Sequence, residues 1–329
     1  MPNYDKLTLG RKAKELGFIR DAYEKMSRLT EILQFLNTEQ ELSLLLALKG
    51  GTAINLTVFN LPRLSVDIDL DFAENLSKEE TRKQRNRINE ILGRYMTAEG
   101  YTFHTKSKQT HALDSFVFSY TNAAGNLDNI KVEINYMLRC HALPTVENIA
   151  QPSEAFAAFP IRTLAPAEIF ASKIVALSSR AAARDLYDLN NMIYFGLFDE
   201  ADLILLRKCT VMYFAIAGDM TAQGFHFDKM TKITEKTIKA DLYPMIRHAE
   251  QFDFAAAKGR VSVFLSELMN LKERETAFLQ RFSTGHYEPY LLFEDKDTID
   301  RITNHPMAAW RINRIKNQLG NKMSFVFIK

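Results

Sequence analysis

Residues 44–72 read LLLALKGGTAINLTVFNLPRLSVDIDLDF, and the fold turns on how this stretch is read. Apolar Leu44 to Leu48 predicts a strand running into a Gly50-Gly51-Thr52 turn, and Ala53 to Phe59 predicts a short helix. Leu64 to Phe72 then alternates with period two. Ser65, Asp67, Asp69 and Asp71 therefore share one strand face, while Leu64, Val66, Ile68, Leu70 and Phe72 face a core. Carboxylates crowded on one face repel unless they are solvated or share a cation. A hard divalent ion such as Mg²⁺ suits them, because it takes oxygen ligands and is commonly held by one or two carboxylates plus substrate phosphates. The two glycines suit such a substrate as well, since they let backbone N–H groups approach an anion at a helix start. The turn lacks the spacing and the terminal Lys-Ser/Thr pair of a Walker loop, which argues against P-loop ATPase or GTPase chemistry.

Outward from this stretch, the whole-chain numbers set wide bounds. A length of 329 residues suits one large or two ordinary domains, and 47% hydrophobic with 25% charged residues is normal for a globular protein with a sizeable core. Lys and Arg number 42 against 40 Asp and Glu, so the net charge is only +2 and any nucleic-acid contact must come from a local patch. Cys140 and Cys209 lack partners at metal-ligand spacing and read as reduced, buried thiols. The start, MPNYDKLTLGRKAKELGF, has no apolar signal core, and no later run approaches a membrane span. A cytoplasmic location with no membrane partner is expected.

Leu16, Ile19, Tyr23, Met26, Leu29 and Leu33 recur at helical spacing, so residues 9–49 are expected to be largely helical. Ser77 and Glu80 have capping-box spacing and open a helix to about Glu99. Lys78, Arg82, Lys83, Arg85, Arg87 and Arg94 on it form either a phosphate-contacting face or a solvated face balanced by Glu79, Glu80 and Glu90. Strands follow near 101–106, 115–120 and 129–138, the last two joined by a turn at Asn122 to Asn126. Pro144, Pro152, Pro160 and Pro166 mark an extended crossing segment and a domain boundary. Thr163 is placed to cap the helix that follows, and Asp185 either caps a second helix or does chemistry. From about 200 onward the pattern is helical, with Val261, Phe264, Leu265, Leu268 and Leu271 as a core stripe. Near the end, Arg311, Arg314, Lys316, Lys322 and Lys329 form a basic cluster with little acid among them that could bind RNA phosphates, as Trp310 could by stacking, although a lone Trp is usually buried core. The seven histidines, His226 among them, show no zinc spacing and are read as structural.

Gly50-Gly51-Thr52-Ala53 with Arg63-Leu64-Ser65-Val66-Asp67-Ile68-Asp69, then Lys173 to Arg180 and Arg184-Asp185-Leu186-Tyr187-Asp188-Leu189, resembles the AbiEii branch of the DNA polymerase β-like nucleotidyltransferases, relatives of the MenT toxins. The tail segments Phe278 to Phe282, Gly285 to Pro289 and His305 to Trp310 resemble the same family. The resemblance implies an α+β fold, a mixed sheet flanked by helices. Residues 1–160 would be the nucleotidyltransferase core and 161–329 a mostly helical lobe completing the active-site cleft.

What the resemblance implies for chemistry is transfer of a nucleoside monophosphate from an NTP to a hydroxyl, with Mg²⁺ or Mn²⁺ as cofactor and the tRNA 3′ end as acceptor. It also implies a toxin–antitoxin or abortive-infection (phage defence) setting with a separately encoded antitoxin, such as a winged-helix regulator. Asp67 and Asp69 would hold the metal. Gly50, Gly51 and Thr52 would hold the phosphates, and Arg63 and Ser65 would line the nucleotide pocket. Alternation in IKVEINYM puts Lys131, Glu133 and Asn135 on one face, so Glu133 is either the third metal carboxylate of many superfamily members or an ordinary exposed strand residue. Lys173 would counter the leaving-group charge, although a lone lysine is by default a snorkelling surface residue. Asp185 would orient Lys173 or assist the attacking hydroxyl. A protein-modifying transferase acting on Ser, Thr or Tyr would use the same site, and a non-catalytic nucleotide-binding module stays open beside it.

Overall fold

The computed structural model describes residues 4–150, 158–217, 225 and 227–326, with side chains to residue 318; Pro152, His226, Lys329 and the side chain of Lys322 lie outside the described residues. In chain order, α1 (Lys6–Leu16), α2 (Arg20–Thr38) and α3 (Gln40–Leu45) lead into β1 (Leu46–Lys49), α4 (Gly50–Ala53), a π-helical turn Ile54–Val58 and β2 (Asp67–Phe72). Next come α5 (Lys78–Ala98), β3 (Thr102–Phe103), β4 (Lys108–Gln109), β5 (Leu113–Thr121), β6 (Leu127–Asn135), β7 (Val146–Ala150) and β8 (Phe159–Thr163). The remainder is helical: α6 (Pro166–Arg180), α7 (Ala183–Tyr194), α8 (Glu200–Ala217), α9 (Glu235–Asp241), α10 (Phe254–Leu268), α11 (Glu273–Ser283), α12 (Lys296–Thr303) and α13 (Pro306–Val326).

Two units emerge. The first holds α1–α5, all described strands and α9; the second holds α6–α8 and α10–α13 together with Cys140–Leu143. In the first unit the strands form one mixed sheet ordered β3-β5-β6-β2-β1-β8-β7, with β4 paired to β5. β2 lies at its centre, antiparallel to β1 and parallel to β6. Ile68, Leu70 and Phe72 are at most 2% exposed, as the period-two pattern requires. The capping box at the start of α5 is present, with Glu80 N–H on the Ser77 hydroxyl and Ser77 N–H on the Glu80 carboxylate.

Several boundaries differ from the periodic reading, each for a local reason. Leu44 and Leu45 finish α3, whose start is capped by Glu39 accepting from Leu42 N–H at 2.9 Å, so β1 begins only at Leu46. β2 begins at Asp67, three residues late, because Leu64 N–H donates to Met245 O at 2.7 Å and Arg63 bridges to Ile246. The proline-marked segment is not a bare crossing: it carries β7 and β8, which pair antiparallel at the sheet edge. Thr163 ends β8, and its hydroxyl donates to Leu164 O instead of capping α6.

In the second unit α8 is the most deeply buried helix stretch, with Cys209 and Val211 to Ile216 all under 3% exposed. Cys140 and Cys209 are not joined in a disulfide and both are buried, as expected from their separation in sequence. Glu168, fully buried on α6, fastens the 140–143 segment by accepting from Ala142 N–H (2.9 Å) and Leu143 N–H (3.3 Å), and it also accepts the Tyr213 hydroxyl (3.0 Å). Burial pushes its pKa up.

Candidate active site

Asp67 and Asp69 project from the same face of the central strand and are both half-buried. Across the ladders, Asp69 stands opposite Lys49 on β1 and Glu133 on β6. Glu133 is therefore brought beside the acid strand, with its carboxylate 2.9 Å from the Lys131 ammonium. Asp71, the third aspartate of the face, has a different fate. It is 1% exposed and lies 2.5 Å from Lys49 Nζ, which neutralises it inside the unit. Asp67 and Asp69 are two half-buried carboxylates at the turn end of the strand, an oxygen donor pair that fits a hard divalent ion completed by water and phosphate. Among the described residues no group of three or more His, Cys, Asp or Glu side chains is arranged to hold a metal.

The glycine turn closes over this pair. Gly50 has φ +70°, and a Cβ there would stand 2.7 Å from Asp69 Oδ2, so only glycine lets the backbone come this close to the carboxylate. A Cβ on Gly51 would stand 2.6 Å from Arg63 Nη2. Arg63 itself is 2% exposed, and its Nη1 donates to Leu64 O at 2.9 Å. Its position is thus behind the turn, packed against Gly51. Thr52 donates its hydroxyl to Asp67 O (2.5 Å) and lies 2.9 Å from the Ser65 hydroxyl, tying the turn to the acid strand. Asn55, which sequence reasoning passed over, is 1% exposed; its Nδ2 donates to Gly51 O at 2.5 Å and its Oδ1 accepts Arg63 N–H at 3.3 Å. The only available signal was its position four residues after Gly51. Gly50→Ala is expected to cost about 1–2 kcal/mol from the left-handed backbone alone. It should also push the Asp69 carboxylate aside, with transfer falling ~10-fold or more, as read by thermal melting and by initial rates.

The second unit assembles the other expected group. Lys173 is 6% exposed, and its ammonium lies 3.1 Å from Asp185 Oδ1 and 2.9 Å from Asp188 Oδ2. It is a buried, ion-paired lysine, not a snorkelling one. Arg180 adds a two-pronged contact to Asp185, Nε to Oδ2 at 2.8 Å and Nη2 to Oδ1 at 3.0 Å. The kink that lets this happen is the break between α6 and α7 at Ala181, whose φ is +51°. Asp185 sits in the first turn of α7, while the N-cap is Ala182, so its carboxylate serves the cations and not the helix end. Asp188, one turn further along, was not singled out from sequence, although the three-residue spacing from Asp185 places both on one helix face.

Burial alone would raise the Asp185 pKa, but Lys173 and Arg180 outweigh it and hold the group at about 2, below the ordinary 3.8. A depressed carboxylate contributes stability above its unfolded pKa and loses it as pH falls toward the folded one. The gap is worth about 2 kcal/mol. Melting wild type and Asp185→Asn between pH 6 and pH 2 should show a stability difference that is full above about pH 4 and shrinks below it; a constant difference would contradict the assignment.

The basic residues on α5 divide. Arg85 pairs with Asp114, Arg87 with Glu41 and Glu90, and Arg94 with Glu90, while Lys78, Arg82 and Lys83 are exposed. Trp310 on α13 is 37% exposed, with Arg314 4.9 Å from its ring centroid, so it is not a core residue. No helix among the described residues is long and apolar enough to cross a membrane.

Comparison with known proteins meets this geometry. No curated protein matches the sequence. Among solved structures, MenT4, a nucleotidyltransferase toxin from Mycobacterium tuberculosis H37Rv, has the same fold with a TM-score of 0.60 at 21% identity, over 92% of this chain and 98% of that one. The model of the family described as "Nucleotidyl transferase AbiEii toxin, Type IV TA system" matches residues 34–283, a span that takes in the glycine turn, the acid strand and the Lys173–Asp185–Asp188 cluster. With more than half of its length matched, this chain belongs to the AbiEii family of nucleotidyltransferase toxins of type IV toxin–antitoxin systems.

Proposed function

We propose that this protein transfers a nucleoside monophosphate from an NTP to the 3′-terminal hydroxyl of tRNA, in the cytoplasm and under the control of a separately encoded antitoxin. The observation that supports it most is the pair of half-buried carboxylates, Asp67 and Asp69, with a glycine turn packed so closely on them that Gly50 admits no Cβ. In this reading Asp67 and Asp69 would hold Mg²⁺, or Mn²⁺ in its place, with water and phosphate oxygens completing the shell; Glu133 stands on the neighbouring strand with its carboxylate on Lys131 and is not part of a three-carboxylate set. A divalent ion bound there neutralises triphosphate charge and lowers the pKa of the attacking hydroxyl.

The chain's own groups do the rest. Backbone N–H groups of Gly50, Gly51 and Thr52 receive the phosphates, and Arg63 and Ser65 hold that turn in place behind the nucleotide. The acceptor hydroxyl gives up its proton to solvent water as its oxygen bonds to the α-phosphorus, the α–β bridging P–O bond breaks, and pyrophosphate leaves with the electron pair of that bond. Lys173 supplies positive charge for that leaving group, and Asp185 orients Lys173. MenT4 is itself a nucleotidyltransferase toxin, which agrees with this assignment.

The test incubates the purified protein with Mg²⁺, each of the four labelled NTPs in turn, and total bacterial tRNA or cell lysate, beside the Asp67→Ala variant. Label on RNA with the wild type alone is the expected result and names the donor. Label on a protein band would replace tRNA by a Ser, Thr or Tyr acceptor, and no label on any component would overturn the proposal.

A further inference from the structure

The other face of the sheet carries a separate cavity. Strand register sets it apart from the acid pair: Ile68 pairs with Val132 and Val132 with Phe116, so Phe116, Phe118 and Tyr120 of β5 lie on the face opposite to Asp67 and Asp69. The cavity, of about 280 Å³, is lined by Tyr4, by Arg28 and Glu31 of α2, by Tyr95 of α5, and by Glu99, Tyr101 and Tyr120 among others.

Its walls are aromatic and held in place. Tyr95 stacks on Phe35 with ring centroids 3.7 Å apart and planes 4° from parallel, and Tyr101 meets Tyr120 edge-on at 5.8 Å. One guanidinium already lies among these rings. Arg28 is 3.8 Å from the Tyr4 ring centroid and 4.3 Å from that of Tyr120, and its charge is matched by Glu24, bonded at 2.8 and 3.0 Å.

Two further carboxylates remain at the cavity. Glu31 accepts the Tyr4 hydroxyl. Glu99 caps the C-terminal end of α5, where the helix dipole is itself negative, and its carboxylate has no ion pair among the described residues. Burial pushes the Glu31 pKa up, the Tyr4 hydrogen bond and the Arg28 charge oppose the rise, and the Glu99 charge adds a smaller push upward. Arg28 covers a face of Tyr4 and of Tyr120, and Phe35 covers one face of Tyr95, so the negative potential left at this space comes from two carboxylates and a helix C-terminus, against a guanidinium that Glu24 already matches.

We propose that this cavity binds an organic cation, an ammonium or guanidinium group, at a site distinct from that of nucleotidyl transfer. The cation arrives either as a free small amine or on a side chain of another polypeptide, and the carboxylates and helix C-terminus would treat both alike.

Calorimetric titration of the full-length protein with agmatine, and separately with an acetyl-Gly-Arg-Gly-amide peptide, tests this in wild type, Glu99→Gln and Asp69→Ala. One saturable site is expected, weakened at least ~10-fold by Glu99→Gln and unchanged by Asp69→Ala, which removes only one carboxylate of the acid pair on the opposite face. Heat with agmatine alone assigns a free amine, and heat with the peptide assigns a polypeptide side chain. No saturable heat with either probe, or binding indifferent to Glu99→Gln, overturns the proposal. Glu99 has no part in the proposed transfer, so that activity and this binding succeed or fail separately.

Discussion

Asp69→Asn abolishes nucleotidyl transfer, with an expected loss of ~10²–10³-fold or more, the scale seen when one preorganised electrostatic partner is removed from an active site. The substitution keeps the size of the side chain and takes away one negative charge beside the Gly50 turn, whose backbone fits against this carboxylate and nothing bulkier. The fold should survive, because the core face of β2 is untouched. A second readout does not depend on catalysis. A ligand that binds only the folded state raises its melting temperature, so Mg²⁺ titration should stabilise wild type and have a much smaller effect on the asparagine variant. Transfer within a few-fold of wild type would remove Asp69 from the mechanism; an equal Mg²⁺ shift in both proteins would remove it from the metal site.

Lys173→Met produces the second large effect, on stability as well as activity. In the native protein one ammonium serves two carboxylates that are each 1% exposed. Taking away one partner of a buried ion pair leaves uncompensated charge behind and typically costs ~3–5 kcal/mol. Arg180 still holds Asp185, while Asp188, whose carboxylate lies 2.9 Å from the Lys173 ammonium, loses that contact. The melting temperature should fall by at least ~6 °C, and adding Asp188→Asn should recover part of that drop. Below the new melting point the variant should remain folded and fail to transfer. Normal melting would contradict the buried-pair geometry, whereas a folded variant with normal turnover would contradict the catalytic role.

How much of this was legible in the chain differs residue by residue. The period-two run at Asp67 to Phe72 is a local property, since alternate residues of any strand point to opposite faces, and the observed burial follows it. The Ser77–Glu80 capping box is equally local, and both of its hydrogen bonds are present. Asp71 is the counterexample. It has the same spacing and chemistry as Asp67 and Asp69, yet it is buried against Lys49, a residue on another strand. Sequence spacing cannot rank three equivalent aspartates, because their difference comes from depth in the sheet and from where the Lys49 side chain reaches: it stands opposite Asp69 in the ladder but pairs diagonally with Asp71. Arg63 shows the same limit from the other side: a cation near a phosphate turn reads as pocket lining, and the fold packs it behind Gly51.

The sequence by itself determined the strand with its aspartate-bearing face, the glycine turn and the family they belong to, because each is written in neighbouring residues and in backbone rules that act over a few positions. Only the tertiary structure decided that Glu133 stands beside Asp69, that Asn55 and Arg63 brace the turn, and that Lys173 is shared by Asp185 and Asp188. Those facts join residues brought together by strand order and by a helix break. The energies that select them, burial of charge and completion of hydrogen bonds, depend on the whole surroundings of a group and not on its place in the chain.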